Sequence, residues 1–157
     1  FKSLLIAADG EKYSPEGYED SLADGSKFIE TTMLYNNQSP YTVVLVIPNK
    51  AALAEAVKKN GLDPATLEGR KAQLEIIQKE VDAYRPGGAH AGMFPERWLP
   101  ASIIVGETPF TEKNGMLNTT MKMVRGKIEK AYAQRIESLY TAEGKNIYNE
   151  DNLNAFA

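Results

Sequence analysis

Cysteine is absent from all 157 residues, so disulfides, thiolate metal ligands and thiol nucleophiles are excluded together. The single histidine, His90, stands in a Gly-rich loop without a His-Glu-x-x-His context, which argues against a zinc site and for a solvated structural role. No Gly-x-Ser-x-Gly elbow occurs, and a serine triad would have to recruit its base from that loop. Neither Gly-x-Gly-x-x-Gly nor Gly-x-x-x-x-Gly-Lys-Ser/Thr is present, so a nucleotide, if used, finds most of its site elsewhere. Basic charge is not in excess: 18 Lys and Arg face 21 Asp and Glu, for a net charge of -3, which argues against a dedicated nucleic-acid binder. The longest strongly apolar stretch, Val43 to Ile47, falls far short of the ~20 residues that cross a bilayer, so membrane association is expected to be peripheral.

What is present has the average composition of a globular protein, 43% hydrophobic and 25% charged, at a length that suits one domain. The chain opens at Phe1 without an initiator Met and runs at once into Leu4, Leu5 and Ile6; this reads as a fragment of something longer.

Leu4 to Ala8, Asp9-Gly10 and Glu11 to Tyr13 spell a β-hairpin, because Asp-Gly supplies the positive φ of a tight turn. Ser14-Pro15-Glu16 predicts a helix to about Ala23, with Ser as the cap, Pro at the first helical position and Tyr18 and Leu22 buried. Phe28 to Tyr35 and Tyr41 to Ile47 are strand-like and joined by the turn formers Asn36 to Pro40; the second is apolar on both faces and reads as a central strand. Pro48-Asn49 caps a short helix ended by Gly61, and Asp63-Pro64 opens a longer one carrying Leu67, Leu74, Ile77, Val81 and Tyr84, with Glu75 and Lys79 one turn apart on its exposed side. After a Gly- and Pro-rich loop over 86–96, Ser102 to Val105 is a short strand. Gly106 to Thr120 has the irregular composition of a mobile functional loop. A last helix spans about Val124 to Tyr140, with Ile128, Tyr132, Ile136 and Leu139 inward and Arg125, Lys127, Glu129, Lys130, Arg135 and Glu137 mostly toward water. The polar tail, 141–157, either stays partly disordered or packs through Ile147, Leu153 and Phe156. The class is α+β: a small antiparallel or mixed sheet plus an N-terminal hairpin, flanked by helices.

Chemistry concentrates in Pro109-Phe110-Thr111-Glu112-Lys113-Asn114-Gly115-Met116-Leu117-Asn118-Thr119-Thr120-Met121-Lys122-Met123-Val124-Arg125. A lysine at the junction of a hydroxyl-rich loop and a basic helix start can place its ammonium between two anions, such as a carboxylate and the α-phosphate of ATP. Taken alone, a lysine there is more often a solvated surface residue.

This stretch resembles the Pro-Phe-Thr-x-x-Asn-Gly-Leu-Leu-Thr-x-Thr-x-Lys-x-Lys-Arg segment of AMP-forming long-chain acyl-CoA synthetases, followed by a helix ending in Ile-x-x-Leu-Tyr. Pro109 to Thr111, Asn114-Gly115, Leu117, Thr120, Lys122, Arg125 and Ile136 to Tyr140 fall in matching positions. Phe1-Lys2-Ser3, Gly10 and Ser14-Pro15-Glu16 match the hinge and hairpin at the other end of that family's small C-terminal domain. Val124 and Asn118 depart from the pattern, as does Ser3, where many relatives carry Asp.

The resemblance implies that residues 1–140 are the mobile C-terminal domain of a fatty acid–CoA ligase, followed by the tail, with a large N-terminal domain absent from this sequence. It implies Lys122 as the catalytic lysine of acyl-adenylate formation and Lys2 and Ser3 as the hinge. It further implies that Gly10, Thr120 and Arg125 lie toward the nucleotide or CoA. ATP, CoA and a fatty acid are the implied substrates, with Mg2+ held mainly by the N-terminal domain. The domain's partner is then its own N-terminal domain, in the cytoplasm, with peripheral membrane contact open to the parent protein. Two alternatives stand beside this: a non-catalytic α+β binding module whose loop 106–120 recognises an anion or partner, and the equivalent domain of a synthetase for another carboxylic acid. Gly10 also has a plain structural explanation in its turn, and Lys2 in an ordinary strand edge.

Overall fold

The computed structural model describes residues 4–157; the expected hinge residues Lys2 and Ser3 lie outside the described residues. The hairpin forms as its sequence demands, with β1 (Leu5–Ala7) antiparallel to β2 (Lys12–Tyr13). Gly10 takes a φ of +88°, in the left-handed region that strains any side chain, and Asp9 Oδ1 accepts a hydrogen bond from the Glu11 N–H at 3.0 Å. The first helix, α1 (Glu16–Gly25), buries Tyr18 and Leu22. It starts one residue later than expected and without a side-chain cap: the Ser14 hydroxyl donates to the Glu16 carboxylate instead of accepting from a helical N–H.

β3 (Ile29–Tyr35) and β5 (Val43–Pro48) pair antiparallel across the Asn-rich connection. That connection is more than a turn. Its residues Asn37–Ser39 form β4, which lies parallel to β1 and completes a small sheet of order β2-β1-β4. The main sheet has order β3-β5-β6, with β6 (Ser102–Val105) parallel to β5. The α+β expectation holds, with two mixed three-stranded sheets where one sheet and a free hairpin were anticipated.

The central position of β5 follows from its composition. Val43, Leu45 and Ile47 point to one face and join Met33, Ile104, Phe110, Ile128, Ile136 and Leu139 in one apolar cluster. Val44 and Val46 point to the other and join Leu34, Ile103, Val105, Tyr18, Leu22, Leu53, Leu74 and Ile77. The crossover from β5 to β6 carries α2 (Lys50–Lys59), capped by Asn49, whose Oδ1 accepts from the Ala52 N–H at 3.2 Å, and α3 (Leu67–Val81). α3 begins later than Asp63-Pro64 suggests. Thr66 is its cap, accepting from the Gly69 N–H, while Asp63 caps only the preceding turn through the Ala65 N–H. Leu67 is consequently 56% exposed and leaves the predicted stripe, whereas Leu74, Ile77, Val81 and Tyr84 are buried. Glu75 accepts from the Tyr148 hydroxyl and, among the described residues, makes no ion pair with Lys79.

The single final helix anticipated from sequence is two. α4 (Arg125–Ala131) and α5 (Ala133–Ser138) meet at Tyr132, which leaves helical geometry at φ -105° and ψ 14° with its hydroxyl close against Gly106. The tail adds α6 (Ala142–Lys145) and α7 (Glu150–Asn154), and Ile147, Leu153 and Phe156 pack on the core. Asn152, fully buried, docks it. Its side-chain amide donates to the Ile103 carbonyl and accepts from the Val105 N–H, so it occupies the edge of β6 as a neighbouring strand would. Arg135 completes the contact through the Val105 carbonyl and Asn152 Oδ1, which corrects the expectation that it faces water; burial pulls its guanidinium below the usual arginine range. No helix among the described residues is long and apolar enough to cross a membrane.

Candidate functional site

The loop from Gly106 to Val124 is held by its own side chains. Phe110 buries in the apolar cluster on the Val43, Leu45 and Ile47 face of β5. Thr111 and Asn114 bond reciprocally, the Thr111 N–H to Asn114 Oδ1 at 3.0 Å and the Asn114 N–H to Thr111 Oγ1 at 3.1 Å, while Asn114 Nδ2 donates to the Pro109 carbonyl. Gly115 then turns the chain with a φ of +78°. Leu117 bridges Met123 in antiparallel fashion, and the Val124 N–H donates to the Met116 carbonyl at 2.8 Å, closing a neck below residues 118–122.

Lys122 sits on that tip. Asn118 organises the turn: its Oδ1 accepts from the Thr120 N–H, the Thr120 hydroxyl and the Lys122 N–H, at 2.7 to 3.0 Å. Met121 is forced to a φ of +62° and stands 65% exposed. The Lys122 side chain is exposed, and among the described residues its ammonium makes no ion pair. It borders an open cleft of about 650 Å³ between the loop, α1 and the β3 edge, lined on the facing side by Glu16, Asp20, Glu30 and Thr31.

Arg125, expected to face water or nucleotide, is engaged inward. Its Nη1 donates to Glu19 Oε2 at 2.8 Å and its Nη2 to Glu19 Oε1 at 2.5 Å. Glu19 is only 3% exposed and accepts a third bond from the Leu34 N–H at 2.7 Å. Burial by itself would lower the Arg125 pKa, but the hydrogen bond and charge of Glu19, with Glu16 and Glu129 behind it, raise it above the usual arginine range. Sequence reasoning gave Glu19 no role. Its only signal is its place three residues before the buried Leu22, which puts a carboxylate beside the apolar stripe of α1.

Of the other residues singled out, Thr120 is part of the Asn118 turn. Gly10 lies at the exposed tip of the hairpin, which is braced from the side by residues 96–98. Trp98 stacks on Tyr13 at 5.5 Å between ring centroids, and Arg97 pairs with Glu11. Among the described residues no group of three or more His, Asp or Glu side chains could hold a metal ion.

The family model for the AMP-binding enzyme C-terminal domain matches residues 2–144. The chain is 26% identical over 149 residues to a carboxylic acid reductase of Mycobacterium tuberculosis, covering 94% of this chain and 11% of that protein. It is also 26% identical over 145 residues to long-chain-fatty-acid–CoA ligase 5 of Rattus norvegicus, covering 88% of this chain and 20% of that protein. In the crystal structure of the adenylation domain of a carboxylate reductase from Mycobacterium chelonae, 19% of the chain superimposes on 87% of this one, with a TM-score of 0.69 and 25% identity. The chain thus spans a fifth or less of each of these three proteins.

Proposed function

Because the chain belongs to the AMP-binding enzyme C-terminal domain family, we propose that it serves as the small domain of an ATP-dependent enzyme that activates a carboxylic acid as its acyl-adenylate. In that step a carboxylate oxygen bonds to the α-phosphorus of ATP and the bond to the pyrophosphate oxygen breaks. Negative charge then gathers where two anions have met. A cation held there by a rigid mount stabilises that arrangement more than the separated reactants. Lys122 is the proposed cation. The observation that supports it is an exposed ammonium without an ion-pair partner among the described residues, carried on a turn whose backbone Asn118 fixes. Mg2+, ATP and the acid are assigned to a larger domain.

We take the acid to be a long-chain fatty acid and the acceptor to be CoA, on the strength of the Pro109 to Arg125 segment and the similarity to the rat ligase. A second reading, favoured by the reductase relatives, keeps adenylation but passes the acyl group toward reduction. Acyl-CoA formed from fatty acid, ATP and CoA by the full-length protein supports the first; aldehyde and AMP formed from fatty acid and ATP with a hydride donor added support the second. A cytoplasmic setting, at most peripheral to a membrane, belongs to the same proposal, as does the hairpin around Gly10 facing the acceptor thiol. The 157-residue chain alone is expected to show no turnover.

The test of the shared core is Lys122→Ala in the full-length protein. Acyl-adenylate formation, followed as pyrophosphate release, is expected to fall by about a hundredfold to a thousandfold. Thioester formation from supplied acyl-adenylate and CoA is expected to persist. Adenylation at the wild-type rate would refute the assignment.

A further inference from the structure

Lys122 has no side-chain partner among the described residues, so the position of its ammonium is set by the backbone beneath it. On one flank of the neck, Leu117 and Met123 pack against the apolar cluster that holds Leu45 and Phe110. On the other, Arg125 binds Glu19 with both terminal nitrogens, and Glu19 is anchored on α1 and to the β3 backbone at Leu34. Arg125 is three residues from Lys122, so the pair fixes the loop close to its working end.

Stability alone is a poor account of this arrangement. A carboxylate that is 3% exposed and a guanidinium that is 17% exposed lose much of their hydration, and an apolar pair of similar volume would hold α1 to the loop at equal or lower cost. What a two-pronged guanidinium–carboxylate contact adds is direction, since both hydrogen bonds form only at one relative orientation of the two planes. The third bond, from the Leu34 N–H, fixes the carboxylate in turn. The result is a chain of fixed orientations from the main sheet through Glu19 and Arg125 to the base of the Lys122 turn.

We propose that Glu19, acting through Arg125, is a positioning residue for Lys122 in adenylation; this rests on the assignment of Lys122 made above. Glu19 touches no substrate. Without it, the neck is held on its apolar flank alone, and the ammonium samples positions off the reacting phosphate. Displacements of about 1 Å can cost about a hundredfold in rate.

The experiment compares two half-reactions in the full-length protein carrying Glu19→Gln. Acyl-adenylate formation is expected to lose about tenfold to a hundredfold in kcat, with the KM for ATP changed far less. Thioester formation from supplied acyl-adenylate and CoA is expected to fall much less than adenylation. The Glu19→Gln/Arg125→Met double variant, which buries no lone charge, is expected to show the same selective loss and guards against misfolding of the single variant. The decisive readout is the background: in Lys122→Ala protein, adding Glu19→Gln should slow adenylation no further, because the residue acts only through the lysine. Equal loss in both half-reactions, no loss in either, or a full additional loss in the Lys122→Ala background overturns the inference. Lys122→Ala also separates the two failures. Adenylation that survives it refutes the lysine assignment itself, whereas adenylation that needs Lys122 but ignores Glu19→Gln refutes only the positioning role.

Discussion

Replacing Arg125 by Met isolates the energetic side of the buried pair. The substitution leaves the Glu19 carboxylate 3% exposed with the Leu34 N–H as its remaining donor, at 2.7 Å. Removing one partner of a buried ion pair costs about 3–5 kcal/mol, chiefly because the other charge is stranded. For a domain of this length, each kcal/mol moves the melting temperature by about 2–4 °C, so Arg125→Met should lower it by roughly 6–20 °C. Urea unfolding of the 157-residue chain should show a lower midpoint at unchanged slope. The opposite single change, Glu19→Gln, should cost less, about 1–2 kcal/mol, because the amide oxygen still accepts from Leu34 and the guanidinium, nearer the surface, can turn toward water. Combining the two should recover most of the Arg125→Met loss, since no charge then remains buried. The reasoning is refuted if Arg125→Met costs under about 1 kcal/mol, or if the double variant is no more stable than Arg125→Met alone.

Two further outcomes test other parts of the fold. At Gly69, in the first turn of α3, an added Cβ would lie 1.9 Å from the Asp63 carbonyl oxygen, so Gly69→Ala should destabilise by at least about 2 kcal/mol in urea unfolding despite alanine's better helix propensity. At Glu129, burial raises the carboxyl pKa above its usual range, with Arg125 partly opposing. A raised pKa in the folded chain means that this group's contribution is greatest below the unfolded carboxylate pKa and is lost as pH rises through the folded value. Glu129→Gln should therefore be the more stable protein at neutral pH, with the gap closing below about pH 4; a gap that widened toward acid would contradict the assignment.

Elements governed by local chemistry were legible before the structure. The Asp9-Gly10 turn, the Asn49 cap and the two-faced apolar run of β5 each encode their conformation within a few residues. Features that depend on a distant partner were not. Asn37 to Ser39 reads as a turn because nothing in its composition announces β1 as a parallel neighbour. The tail reads as polar because Asn152 is apolar neither in type nor in pattern, yet its amide pairs with the outer edge of β6. Arg125 and Arg135 read as solvated helix residues, since only the tertiary fold brings Glu19 to one and the β6 edge to the other. The break at Tyr132 left no trace in the periodicity, because Ile128 and Ile136 stay on the same side of the sheet across it.

The loop shows how far composition can mislead about mechanics. Its Gly, Pro, Asn and Thr content suggests a pliant segment, and apolar periodicity offers nothing against that. In the fold, those residues are the fastening: Thr111 with Asn114, Gly115 at a left-handed φ, Asn118 drawing in the backbone of Thr120 and Lys122, and Arg125 on Glu19. If Lys122 meets an acid and a nucleotide in another domain's cleft, as proposed, it loses rate with every degree of freedom of its mount. A fastened loop and a mobile lysine are reconciled if the motion belongs to the domain as a body, turning about a pivot outside the loop, and not to residues 106–124. Loosening the loop should then not help the lysine reach its substrate; it should only blur where it arrives, which is the same quantity that Glu19→Gln is designed to measure.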